Sequence, residues 1–230
     1  MQALPQVVVP TVAIAGSPER FPVHRIYCVG RNYADHAKEM GSSGREPPFF
    51  FFKPADAVFN VAADTTQDWP YPSLTNDLHH EVELVVAIAK GGKNISVDQA
   101  RQHIWGYAIG LDMTRRDIQA AMKKEGKPWC IAKGFDHGAP IGPLTSIEST
   151  GEITSGPISL KVNDEVRQTG DISDMIWNIS EVIAHISNAW ELKAGDLIYT
   201  GTPAGVAAVK RGDVLTAEAT QVGAFSIHVV

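Results

Sequence analysis

Residues 79–89 read HHEVELVVAIA, and the architecture of the chain follows from this stretch. In an extended strand successive side chains point to opposite faces, so Glu81 and Glu83 share one face while Val82 and Leu84 share the other. From Leu84 onward the run is apolar on both faces, as in a strand covered on both sides. Two carboxylates side by side at the mouth of a buried strand repel each other, and a cation between them removes that cost. The plainer alternative is a solvated strand end carrying two exposed Glu residues.

Working outward, β-branched and aromatic runs between Gly, Pro, Asn and Asp predict strands at residues 7–14, 25–29, 49–52, 81–89, 106–111, 158–162, 196–200 and 226–230. Asn163 and Asp164 form a hairpin turn. Helices are few. Ser96 and Gln99 have capping-box form and open a short helix toward Ile104. Thr114 caps a helix running to about Glu125, with Gly126 as its stop. Ser180 caps another, on which Val182, Ile183, Ile186, Ala189 and Trp190 form a core stripe. A helical turn is expected near residues 33–40. Strands outnumber helices without alternating regularly with them. The class is therefore α+β, and a doubly wound sheet or a TIM barrel is disfavoured.

Composition narrows the function. The chain has 230 residues, 44% of them apolar and 20% charged, so it can bury a core. Lys plus Arg is 20 and Asp plus Glu is 26, a formal charge of −6, which argues against a nucleic-acid partner. No apolar run reaches the roughly 18 residues of a membrane helix, and the first residues lack the basic segment of a signal peptide. Cys28 and Cys130 both lie in apolar stretches and are expected to be buried free thiols. A cytoplasmic location follows as an expectation.

Asp112 ends another apolar run, WGYAIGL, just before a helix. Three carboxylates without Cys or a His cluster favour a hard cation, Mg2+ or Mn2+ rather than Zn2+. The competing reading of Asp112 is an ordinary acid at a helix terminus. Arg116 and Gln119 share a helical face and could lean toward the ion and hold a carboxylate, or face solvent. His36 and Glu39 stand one helical turn apart, and such a pair can deprotonate a water, although most surface His/Glu pairs do nothing. Lys133, in PWCIAKGFD, either snorkels to solvent or lines a pocket where it stabilises an oxyanion. Residues 200–205, TGTPAG, form either a plain turn or a loop whose backbone approaches a ligand. Residues 41–48, GSSGREPP, are either a surface connection or a mobile lid.

Taken in order, RIYCVGRNYADHAKEMG, HHEVELVVAIA, GYAIGLDMTRRDIQ, AKGFDHGAPIGP and YTGTPAGV resemble the fumarylacetoacetate hydrolase family from about Val23 to the C-terminus. The opening segment, with PPFFFFKPADAV, looks most like the small bacterial fumarylpyruvate hydrolases and acylpyruvases. The resemblance implies a mixed β-sandwich roll over residues 23–230, with residues 1–22 as an N-terminal strand segment packed on it, and a homodimer. It implies that Glu81, Glu83 and Asp112 hold Mg2+ or Mn2+, with Ca2+ as a substitute. Arg31, Arg116, Gln119 and Thr202 would bind a small β-diketo acid. His36, Glu39 and Lys133 would be catalytic, the first two on a lid. The implied reaction is hydrolysis of the carbon–carbon bond of an acylpyruvate, fumarylpyruvate above all, in aromatic (gentisate) catabolism. Related chemistries on the same site, oxaloacetate decarboxylation or hydroxymuconate-type isomerisation, are the alternative, and a non-catalytic binding protein is a further one. Gly134 stands where some acylpyruvase relatives carry Ser.

Overall fold

The computed structural model describes residues 4–34 and 45–230. Most of the helical turn expected at residues 33–40, the first half of the GSSGREPP segment, and both His36 and Glu39 therefore fall outside the described residues. The architecture is α+β with mixed sheets. In the largest sheet the strand order is Phe49–Lys53, Ile26–Gly30, Leu197–Tyr199, Val82–Ile88, Ile104–Leu111, Ala139–Ile141, Val58–Asn60. Leu197–Tyr199 runs parallel to Ile26–Gly30 and antiparallel to Val82–Ile88. A second sheet orders Glu165–Asp171, Pro157–Val162, Val214–Ala219, Gly223–Val229 and Thr66–Trp69.

The strand Val82–Ile88 is buried along its whole length, as its sequence predicts. Its two faces enter different cores. Val82, Leu84, Val86 and Ile88 pack with the second sheet (Leu160, Leu215, Phe225) and with the helix Ile179–Ala189. Val85 and Ala87 pack on the other side with Val12, Phe21 and Leu144. A side chain of this size contributes roughly 1.5–3 kcal/mol on full burial, so the strand's register is strongly fixed. A slip of one residue would exchange the two faces.

Several expected boundaries move, each for a physical reason. In residues 7–14 only Thr11–Ala13 form a strand, paired with Arg20–Pro22. Val7 and Val8 remain exposed, because among the described residues no strand lies beside them. Thr114 does not cap a helix. It pairs with His79 in a short ladder, and the helix runs Arg116–Glu125. Gly126 ends that helix in the left-handed region at φ 64, as expected. The helix Ile179–Ala189 is capped by Asn178, not Ser180. Asn178 has Glu181 three residues on and completes a reciprocal capping box. Residues Val97–His103 form a 3-10 helix without a side-chain cap. The turn at Asn163 and Asp164 is present, both residues having positive φ. Cys28 is buried, but Cys130 is exposed, because it opens the short helix Cys130–Lys133 on the surface. Among the described residues no helix is long and apolar enough to cross a membrane.

Candidate active site

Alternation and pairing together build the carboxylate cluster. Glu83 lies on Val82–Ile88, and Glu81 immediately precedes that strand. The neighbouring strand Ile104–Leu111 pairs Leu111 with Val82. One step further the Asp112 N–H donates to the Glu81 carbonyl at 2.8 Å, which carries Asp112 alongside Glu81. One oxygen from each of Glu81, Glu83 and Asp112 then lies within 4.8 Å of the others, and all three residues are buried. The solvated-end reading of the two Glu residues and the helix-terminus reading of Asp112 are both set aside by this geometry.

Three cations border the cluster. The Lys133 ammonium lies 2.8 Å from both Glu81 Oε2 and Asp112 Oδ2. The Lys53 ammonium lies 2.8 Å from Asp112 Oδ1. The Arg116 guanidinium donates to Glu81 Oε1 at 2.5 Å and to Gln119 Oε1 at 2.5 Å. Burial works against the charge on Lys133, yet the Asp112 and Glu81 carboxylates outweigh it and raise its pKa. Lys133 thus does not snorkel: it is 2% exposed and faces the acids.

Glu83 differs from the other two acids. Among the described residues no Lys or Arg lies within ion-pair distance of it, and its Oε2 accepts from the Gly201 N–H at 2.7 Å. Burial, followed by the charges of Asp112 and Glu81, pushes its carboxyl well above the ordinary range. A buried acid strained by its acidic neighbours, within an all-oxygen donor set, fits a hard divalent cation.

These groups open into one cleft. Arg31, Glu81, Glu83, Arg116, Gln119, Lys133 and Thr202 line it, and Val29, Phe49, Phe51 and Trp129 form its apolar wall. Each candidate substrate-binding residue predicted from the sequence therefore reaches the same space. Arg31 adopts φ 56 and stacks its guanidinium 5.7 Å from the Phe49 ring centre. The TGTPAG segment is more than a turn: besides Gly201 to Glu83, its Thr200 Oγ1 donates to the Leu84 carbonyl at 2.8 Å.

Sequence reasoning missed Lys53, which is wholly buried and also donates to the Met113 and Lys133 carbonyls. Its only local signal is a Lys closing the apolar run FFFF. It missed the aromatic wall as well, although Phe49, Phe51 and Trp129 lie in aromatic segments.

Residues 25–230 match the family described as Fumarylacetoacetate (FAA) hydrolase C-terminal. Among solved structures, fumarylpyruvate hydrolase from Pseudomonas aeruginosa in complex with Mn2+ and pyruvate superposes with a TM-score of 0.97. It is 50% identical, covering 100% of this chain and 99% of that one. Oxaloacetate tautomerase YcgM of Escherichia coli is 44% identical over 85% of this chain and 88% of its own length. The mitochondrial oxaloacetate decarboxylase of Dictyostelium discoideum is 37% identical over 83% of this chain and 86% of its own. Fold, cluster and sequence agree: the chain belongs to the fumarylacetoacetate hydrolase family.

Proposed function

We propose that this protein is a divalent-metal-dependent hydrolase that cleaves the carbon–carbon bond of an acylpyruvate, with fumarylpyruvate as its principal substrate and fumarate and pyruvate as products. The observation that carries the reading is the single cleft in which Glu81 and Glu83 of the buried acid triad meet Arg116, Lys133 and Thr202. The likeness over the whole chain to a fumarylpyruvate hydrolase holding Mn2+ and pyruvate supports it. Glu81, Glu83 and Asp112 would hold Mg2+ or Mn2+, which supplies Lewis acidity to the oxygens of the 2-oxo acid end.

The chain's own groups do the rest. Arg31, Arg116, Gln119 and Thr202 bind and orient the acid end of the substrate. His36 and Glu39 take a proton from a water, whose oxygen attacks the distal carbonyl. Lys133 stabilises the negative charge that develops there. The bond to the pyruvyl carbon then breaks, its electron pair leaves with the three-carbon fragment as an enolate, and protonation gives pyruvate. The apolar wall of Phe49, Phe51 and Trp129 shields the acyl chain from water. The protein would act as a homodimer in the cytoplasm on a small β-diketo acid.

A second reading is favoured by the oxaloacetate relatives. Tautomerisation or decarboxylation of oxaloacetate also passes through an enolate but needs no attacking water. The deciding experiment assays fumarylpyruvate, acetylpyruvate, fumarylacetoacetate and oxaloacetate, each with Mg2+ and with Mn2+. Hydrolysis is expected to be fastest on fumarylpyruvate, and turnover of oxaloacetate alone would replace the first reading by the second.

A further inference from the structure

Gln168 lies outside the cleft, on the edge strand Glu165–Asp171 of the second sheet, and is that strand's one fully buried side chain. Its amide makes four hydrogen bonds. Oε1 accepts from the Val82 N–H at 3.0 Å and is 2.9 Å from His80 Nδ1. Nε2 donates to the Pro203 carbonyl at 2.8 Å and is 2.7 Å from Thr202 Oγ1. An amide's two ends are ordinarily interchangeable by a flip. Here backbone groups settle the matter, because Val82 N can only donate and the Pro203 carbonyl can only accept.

The two remaining bonds are then fixed in direction. Nε2 gives its second hydrogen to Thr202, so Thr202 Oγ1 is an acceptor toward Gln168. Among the described residues Thr202 Oγ1 has no other partner, and Thr202 lines the cleft. Its own proton is therefore directed away from Gln168 and is available to donate to a ligand, while one lone pair of the oxygen stays open. On the other side, His80 must carry a proton on Nδ1 to donate to Oε1, which makes it the Nδ1–H tautomer when neutral. Gln168 thus ties the entry of the carboxylate strand, at His80 and Val82, to the Thr202 loop. The loop packs tightly enough for this: a Cβ at Gly205 would lie 2.0 Å from the Arg167 carbonyl oxygen.

We infer that Gln168 is a positioning residue that keeps the Thr202 proton free to donate into the cleft, so that this corner favours a ligand oxygen that accepts, such as a carboxylate oxygen. The inference rests on the reading that a 2-oxo acid carboxylate binds beside Thr202. A hydroxyl free to rotate would accept or donate equally. With one lone pair engaged by Gln168 and its proton directed away from that amide, it rewards a carboxylate oxygen over a ligand that offers only a donor there.

The test measures oxalate binding to Mg2+-saturated protein by calorimetry. Gln168→Met and Thr202→Val should each weaken oxalate about tenfold or more, and Thr202→Ser should restore most of the loss at Thr202. Because Gln168 acts through Thr202, the double variant should bind no more weakly than the weaker single one. Losses that multiply, or Gln168→Met binding oxalate as the parent does, overturn the inference. Should Gln168→Met fail to fold, long-range 1H–15N spectra of the parent protein decide the amide's orientation. The Nδ1–H tautomer of His80 is expected, and the Nε2–H tautomer overturns the inference. If the parent protein binds no oxalate at all, the 2-oxo acid reading fails, while the spectra still judge the hydrogen-bond directions.

Discussion

Lys53 places its ammonium 2.8 Å from Asp112 Oδ1 in an environment where neither side chain reaches solvent. Both charges have left water, and Lys53 is one of two cations on Asp112, Lys133 being the other. Removing one member of an isolated buried pair costs about 3–5 kcal/mol, and here Lys133 still compensates Asp112 in part. Lys53→Met should therefore destabilise the fold toward the lower end of that scale, although Lys53 does not line the cleft. Urea unfolding of the metal-free protein measures it, and a loss below about 1 kcal/mol would show that Asp112 does not need this partner.

That pair also marks where the sequence ceases to be informative. Glu81 and Glu83 are legible because strand alternation is local, and Asp112 because it ends an apolar run. Lys53 comes from a strand 60 positions before the Met113 carbonyl to which it donates, so no short-range pattern connects it to the cluster. Gln168 is equally distant, and a polar residue in a hairpin strand looks solvent-facing until the Thr202 loop closes over it. The Thr114 cap failed because tertiary pairing with His79 claimed that residue first. The Asn178 cap was legible in principle, since Glu181 stands three residues on and Ser180 has Ile183 there instead.

Glu83 gives a second prediction. Its carboxyl is raised in the folded state by burial and by its acidic neighbours. A raised carboxyl supports the fold while protonated, and that support is lost as pH rises through its folded-state pKa. Glu83→Gln removes the repulsion, so the metal-free variant should melt at or above the parent's temperature at neutral pH. The parent should gain about 2.7 kcal/mol at a metal concentration of 100 Kd, and the variant almost none. Equal metal-induced shifts in the two proteins would remove Glu83 from the ligand set.

The same shift predicts proton release. Metal-free protein holds a proton on Glu83 to higher pH than a free carboxyl does, and the proton must leave when a cation binds. Apparent Mg2+ affinity should rise with pH up to the raised pKa and then level off. Calorimetric titrations in two buffers of different ionisation enthalpy count the protons. Release should fall toward zero at the alkaline end, and a pH-independent affinity with no release would contradict the assignment.

The last prediction separates water-dependent cleavage from oxaloacetate chemistry within one site. Both pass through an enolate, of pyruvate in cleavage and decarboxylation and of oxaloacetate itself in tautomerisation, and both are proposed to depend on the acid triad, so Glu81→Gln should damage both. Only acylpyruvate cleavage needs an activated water, and the pair His36 and Glu39 is proposed to supply it. Removing a general base costs about 10²–10⁴-fold in rate. Glu39→Gln should lose fumarylpyruvate hydrolysis on that scale while oxaloacetate turnover falls much less. The measurement separates kcat from KM and sets oxalate affinity beside them. A fall confined to KM assigns Glu39 to binding. A parent-like rate at parent-like affinity removes the water-activating role, and the oxaloacetate reading then explains the site better.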